Sequence, residues 1–267
     1  MKNLSNYILE AKKQNLDIDR RQPKSRSELE MIISGAFKRK QYNLNFIDTS
    51  KITDMSELFE GVKHNFDVSS WDVSNVKDMS KMFSRCYAFT GKGLENWDVS
   101  NVTDMSHMFD SCSIFIGKGL ENWDVSNVTN MYSMFLHCKK FDCDLSNWDM
   151  SNVIDTSLMF SNCAKFTGKG IENWNVSKVK SMYAMFGDCT NFNCDVSNWD
   201  VSNVTDMDSM FVNCKKFTGK GLENWNVSKV KTMRTMFNGC KFNYHELDWD
   251  LSGLSSQLKT FRNYLGD

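Results

Sequence analysis

Eight tryptophans constrain this chain more than any other feature. They stand at Trp71, Trp97, Trp123, Trp148, Trp174, Trp199, Trp225 and Trp249, separated by 26, 26, 25, 26, 25, 26 and 24 residues. A fixed period between 20 and 50 residues is the mark of a solenoid, propeller or array. Each Trp opens the same phrase: Asp or Asn, an apolar residue, then Ser, as in Trp71 to Ser74 and Trp174 to Ser177. A second phrase, Met-Phe-x-x-Cys, recurs in seven copies, from Met82–Cys86 to Met236–Cys240. A degenerate opening copy keeps Met55, Leu58 and Phe59, and a decaying last one keeps Leu254, Leu258 and Phe261.

The spacing inside one period predicts its local geometry. Leu94, Trp97 and Val99 read as inward, with Trp97 and Val99 alternating as a short strand requires. Val102, Met105, Met108, Phe109 and Cys112 follow at helical spacing, α or 3₁₀, over one or two turns. Asp, Asn and Ser at the corner bond to nearby backbone. The return loop varies: four coils carry Gly-Lys-Gly (Gly91–Gly93, Gly117–Gly119, Gly168–Gly170, Gly219–Gly221), and two shorter ones carry Cys143–Asp144 and Cys194–Asp195. Length differences confined to one place mark a surface loop. A single coil cannot cover its own apolar face. Stacking at about 4.8 Å lets Trp meet Trp, Phe meet Phe and Cys meet Cys in one rod-like core.

These phrases resemble a known family. Leu94-x-x-Trp97-x-Val99 matches the strand core of a leucine-rich repeat. Asn101 to Cys112, N-V-T-D-M-S-H-M-F-D-S-C, is similar to the consensus of BspA-like repeats of bacterial surface proteins, and the likeness runs from about Asn45 to Asp250. The resemblance implies a leucine-rich-repeat-like solenoid with one short parallel strand and a short helical or 3₁₀ turn per coil. It also implies a role in adhesion or protein recognition, and similar repeats occur in phage-encoded proteins.

Three regions are expected: a helical arm and cap over 1–45, a solenoid of about eight repeats over 46–250, and a C-terminal cap over 251–267. The first 45 residues carry ten Lys or Arg against five acids. Ser5–Lys13 reads as a short helix. Ser27–Lys40 reads as a better one, with Ser27 as N-cap, Glu28 and Glu30 in the first turn, and Leu29, Ile32, Ile33 and Phe37 on one face. This segment either caps the first coil or, through residues 1–26, docks the chain into a larger assembly.

Composition narrows the function classes. The net charge of −1 gives no reason to expect a nucleic-acid partner. No stretch reaches the roughly 18 apolar residues of a membrane span, so no membrane insertion is expected. The opening MKNLSNYILEAKK lacks the apolar centre of a secretion signal. Synthesis in the cytoplasm is therefore expected, with cell-surface or virion association implied by the resemblance.

Nine cysteines without a C-x-x-C pair read as a ladder of buried free thiols rather than a metal or disulfide framework. The repeated Asp residues after Trp, and at Asp78, Asp104, Asp155 and Asp206, read as turn caps. Asn175 and Asn226 replace Asp where a metal ligand would not. The Gly-Lys-Gly loops lack the phosphate-binding pattern, and Glu95, Glu121, Glu172 and Glu223 follow their lysines as a salted edge. The four histidines share no metal-type spacing. The sequons at Asn101, Asn127 and Asn203 coincide with the corner of the repeat. No acid–base or nucleophile constellation stands out, so neither an enzyme nor a cofactor is expected.

The informative positions are those that vary while the core does not. Between the paired Met residues lies a row containing Lys81, His107, Tyr132, Tyr183, Asp208 and Arg234, the candidate partner-binding strip. A second row follows Cys: Tyr87, Lys139, Lys140, Lys165, Lys215 and Lys216. It reads either as a solvated lysine edge or as a surface for an acidic partner. The leading expectation is a non-enzymatic scaffold recognising a protein partner. The alternative is a structural component of a phage or other particle, docked through the N-terminal arm.

Overall fold

The structure, a computed structural model, describes residues 21–243 and 247–254. Most of the expected arm, including Ser5–Lys13, and residues 255–267 of the expected C-terminal cap lie outside the described residues. Parallel bridges join Asp54 to Asp78, Asp104, Asn130, Asp155, Ser181, Asp206 and Thr232 in succession, each step one repeat. Pairing of the same kind starts earlier, at Arg21 with Ile47 and Asn43 with Asp67, inside the segment expected to be cap. The chain is therefore a repeat protein built of stacked coils.

The interior of a coil differs from the expected strand and helix. Among the described residues there is no continuous strand. The pairing sits at the Asp-Met step, not at Trp97 and Val99. Nor is Val102–Cys112 helical; the two 3₁₀ segments, Leu94–Asn96 and Leu222–Asn224, belong to return loops. Apolar residues three apart here sit at the ends of successive tight turns. Val102 N–H donates to Val99 O, Met108 to Met105, Cys112 to Phe109 and Phe115 to Cys112, at 2.9–3.2 Å. The run does not wind into a helix because His107 (φ 55°) and Ser111 (φ 63°) are left-handed. Those reversals turn alternate N–H groups toward the next coil. Met105, His107, Phe109 and Ser111 donate to Asn130, Tyr132, Met134 and Leu136 at 2.7–3.1 Å. One segment thus supplies both the turns and the ladder, and satisfies its backbone in full.

The core is a set of ring columns. Trp97 lies over Trp123 (centroids 6.4 Å, planes 3° apart), and Trp148, Trp174, Trp199, Trp225 and Trp249 continue the offset stack at 6.3–6.5 Å. The second column, Phe59, Phe83, Phe109, Phe135, Phe160, Phe186, Phe211 and Phe237, is spaced 5.4–5.9 Å. All but Trp249 of these rings are buried. Each indole also finds a polar partner. Trp123 Nε1 donates to Leu94 O at 2.9 Å and Trp148 Nε1 to Leu120 O at 2.8 Å, and all eight follow the pattern.

The N-terminal end of the stack is closed by α1 (Arg26–Lys38), which buries Leu29, Ile33 and Ala36. Its N-cap is Ser25 rather than Ser27. Ser25 Oγ accepts from Glu28 N–H, and the Glu28 carboxylate accepts from Lys24 N–H, the residue before the cap, so two backbone donors at the helix start are satisfied. Phe37 packs on Phe59 and Phe66, while the Arg26 guanidinium grips the Asp54 carboxylate at 2.9 Å. The return loops tolerate glycine only where coils crowd. A Cβ on Gly93 (φ 94°) would lie 2.3 Å from Ser69, and one on Gly221 (φ 93°) 2.2 Å from Ser197 N.

The ring columns make a sharp prediction. Trp148→Ala opens a cavity between buried neighbours and is expected to destabilise the stack by about 3–5 kcal/mol. Trp148→Phe, which removes one of the two donors to Leu120 O and part of the ring's packing, should lose about 1–3 kcal/mol. Urea unfolding followed by circular dichroism measures both.

Candidate functional site

Two outward surfaces result from this backbone. The first, the turn face, comprises the residues between and just beyond the paired Met positions. All six candidate residues lie on it. Tyr132, Tyr183, Asp208 and Arg234 follow the inward Met directly, and Lys81 and His107 come one place later, at the left-handed position. His107 packs its ring against Tyr132 at 5.0 Å and places Nδ1 3.6 Å from Asp110. Arg234 Nε bonds to Asp208 at 3.2 Å. Lys81 Nζ lies 2.8 Å from Glu57, a hydrogen bond that pushes the lysine up and the carboxyl down in pKa. Tyr132 and Tyr183 are two coils apart and stand separately, Tyr183 with 42% of its surface exposed. The charged members thus pair at the two ends, and the tyrosines hold the middle.

Between the tyrosines lies a floor that the sequence reading missed. Ser133, Ser157, Ser161 and Ala184 occupy outward columns yet are buried, and Ser133 Oγ has no hydrogen-bond partner. Its only signal in the sequence is small residues at outward positions, Ser133 and Ala184 in the column that carries Lys81 and His107 in earlier coils, and Ser157 and Ser161 in columns beside it.

The two left-handed columns of this face differ in a telling way. The one beyond Phe reads Gly61, Arg85, Ser111, His137, Asn162, Asp188, Asn213 and Gly239; five of the eight are Gly, Asn or Asp, the residues that accept this backbone most readily. The one between the Met residues reads Glu57, Lys81, His107, Ser133, Leu158, Ala184, Ser209 and Thr235, at φ 48–59°, and none of the eight is such a residue. Backbone preference shapes the first column and is overridden in the second. Thr235→Asn, at an exposed β-branched residue, is therefore expected to raise stability by roughly 0.5–1 kcal/mol in thermal or urea melts.

The residues considered for other chemistry are accounted for structurally. The Asp column after Trp forms turns in which Oδ1 accepts from the Ser two residues on, as in Asp98 with Ser100 N–H at 3.1 Å, and Asn175 and Asn226 do the same. Asp104 and its column cap the next turn likewise. The loop lysines pair across coils rather than with the following Glu: Lys92 with Asp67 at 2.7 Å, Lys169 with Asp144 at 3.1 Å, Lys220 with Asp195 at 2.7 Å. Hydrogen bonds from Lys220 and Ser197 lower Asp195 to about 2. Burial pushes Asp67 upward, but bonds from Lys92, Ser69 and Asn45 outweigh it and hold that carboxyl well below its usual range. Glu95, Glu121 and Glu223 instead accept from Gly93, Gly119 and Gly221 N–H. The sequon residues Asn101, Asn127 and Asn203 donate Nδ2 to Ser carbonyls of the preceding coil. Among the described residues no group of three or more His, Cys, Asp or Glu is arranged to hold a metal.

All nine cysteines are free thiols, and eight are buried. The seven on the main column are more than apolar filler. Each donates to the Phe carbonyl one coil back, as Cys112 does to Phe83 O at 3.1 Å and Cys138 to Phe109 O at 2.9 Å. Burial raises their pKa: Cys86 and Cys240 to about 12, and Cys112, Cys138, Cys163 and Cys214 well above the ordinary value. A raised native pKa gives stability that is complete below the unfolded value, near 9, and is lost as pH rises toward the native one. Stability should thus fall steeply above about pH 9, by up to about 1.4 kcal/mol per pH unit for each buried thiol. Urea melts from neutral to alkaline pH would show this, and a flat profile would contradict it.

Comparison with known proteins agrees with the repeat architecture. A family model described as "Mycoplasma protein of unknown function, DUF285" matches residues 27–115, 88–170 and 159–265. The chain belongs to this family. No curated protein and no solved structure matches it. The three matched segments overlap and together run from α1 through the last Trp coil, so the family pattern is the stack itself.

Proposed function

We propose that this family member is a non-enzymatic scaffold that recognises a protein partner through the turn face, with Tyr132 and Tyr183 as anchors and His107, Lys81, Asp208 and Arg234 at the margins. The observation that carries this reading is the left-handed column between the Met residues. Eight residues ill-suited to that backbone persist where Gly or Asn would relieve strain, while the neighbouring column accepts them. Side-chain identity outweighs backbone preference there, as it does where strained residues serve a site.

The layout supports the same reading. Tyrosines supply large contact area at low entropic loss, and here they flank a floor of small buried residues. The ends of the face are self-paired and act as a rim. The likeness of the repeats to BspA-like surface proteins is in keeping with such a leucine-rich-repeat-like recognition role.

Replacing both tyrosines (Tyr132→Ser, Tyr183→Ser) should leave thermal stability nearly unchanged, since neither ring enters the core columns. Crosslinked partners retained by the unaltered protein should be lost, with affinity falling at least roughly tenfold. Equal retention by both proteins would show that the face is not the site.

A further inference from the structure

A second outward surface is independent of the turn face. Every Cys-x-x-Phe segment from Cys86 to Phe217 closes a tight turn, Phe N–H donating to Cys O at 3.0–3.1 Å, so its two central residues project outward. The flanking residues are stacked: each Cys bonds to the coil before it, and Phe89, Phe115, Phe141, Phe166, Phe192 and Phe217 follow one another at 5.4–6.4 Å. The turn tips therefore follow one another along one edge, spanning six coil spacings, or about 29 Å measured along the stack, from Cys86 to Cys240.

The chemistry of that edge is divided along its length. Lys139, Lys140, Lys165, Lys215, Lys216 and Lys241 are all exposed, and none enters an ion pair among the described residues. No acid stands at a turn tip. Two carboxylates stand beside the tips, the exposed Asp142, which takes the place of Ile116 one coil on and accepts from Thr167, and Asp188, which accepts from Asn213, so the six lysines outnumber them. At the N-terminal end of the same edge lie Tyr87, Ile114 and Ile116, 52%, 38% and 51% exposed. These are three of the seven large hydrophobic residues left in solvent among the described residues, and they are gathered on two adjacent coils.

We infer that this edge adsorbs to the surface of an anionic lipid bilayer, with the lysines at the headgroups and Tyr87, Ile114 and Ile116 dipping into the interface. A continuous row of stacked turn tips can lie along a surface, several of its side chains engaging it together. Lysines beside exposed apolar residues are the combination that binds such an interface, each lysine adding electrostatic attraction to the apolar burial. An acidic protein would account for the lysines but leave the exposed isoleucines without a role. The near-zero net charge of the whole chain conceals this local asymmetry. Adsorption of this kind needs no spanning helix, and no helix of the described residues is long and apolar enough to cross a membrane.

Flotation of the full chain with vesicles tests the inference. The protein should float with vesicles of phosphatidylcholine mixed with phosphatidylserine, far less with phosphatidylcholine alone, and less as salt rises. Reversing four tip charges (Lys139→Glu, Lys140→Glu, Lys215→Glu, Lys216→Glu) should reduce partition by roughly a hundredfold or more. Ile114→Ser with Ile116→Ser should weaken it by roughly tenfold. Lys77→Glu with Lys231→Glu, exposed lysines on a different edge, should have a much smaller effect, and Tyr132→Ser with Tyr183→Ser none. Each variant is checked for an unchanged melting curve. Failure of the unaltered protein to prefer anionic vesicles overturns the inference. So does loss in the Lys77/Lys231 variant equal to that of an equally sized charge change at the tips, or binding to polyglutamate without binding to vesicles.

Discussion

The backbone carbonyl that accepts twice is the interaction on which the rest of this structure depends. Leu94 O takes the N–H of Trp97, closing a turn within its own coil, and the indole N–H of Trp123 from the next. Phe109 O takes Cys112 N–H and the thiol of Cys138 in the same way. A carbonyl has two lone pairs, and each tight turn uses one. The second would be buried without a partner unless the next coil brought a donor to it. Trp and Cys are the side chains that pair an apolar body with a single donor, and they recur at those two columns. Local turn and long-range register are thereby the same event, so the period cannot drift by more than a residue or two.

That coupling explains which parts of the fold were legible in the sequence. The period, the inward columns and the stacking of Trp on Trp and Phe on Phe follow from residue spacing, because burial acts on side chains and side chains are what a sequence displays. The path of the backbone between them does not. Apolar residues three apart suit a helix, yet here they mark the ends of turns. The difference is the sign of φ at His107 and Ser111, neither of which is a glycine that would have announced it. The alternation of Trp97 and Val99 resembled a strand for a similar reason: a turn followed by an extended residue also buries alternate side chains. The N-cap lies at Ser25 rather than Ser27 because Ser25 Oγ accepts from Glu28 N–H while the Glu28 carboxylate holds Lys24 N–H, fixing the entry of the chain there.

The outward surfaces were legible only as places where residues vary. The row between the Met residues could be recognised as variable, but not that its charged members pair at the ends, Lys81 with Glu57 and Arg234 with Asp208. Those partners come from adjacent coils, and their meeting depends on the register. The buried hydroxyl of Ser133 was invisible as well, since small residues at outward positions look like neutral surface until taller neighbours are placed around them. The lysine row after Cys was visible, but its continuity along one edge and the gathering of Ile114 and Ile116 beside Tyr87 required the stacked turns.

Because the core is satisfied within and between neighbouring coils, the surfaces are free of it. Turn-tip side chains such as Lys140 and Ile114 share no hydrogen bond with the ring columns, and Tyr183 donates only its backbone. A residue on either surface can change without disturbing the register, and adding or removing a coil would alter the length of both surfaces together. In a stack whose stability is nearest-neighbour in kind, such changes act locally. The strained column is the exception. There the N–H of His107 must reach Tyr132 O whatever side chain stands at 107, so the ladder bond imposes the left-handed backbone and its strain is borne by the stack. A fold that can carry about 1 kcal/mol of strain at each such position is over-determined by its core. The repetition of Trp, Phe and Cys secures that surplus.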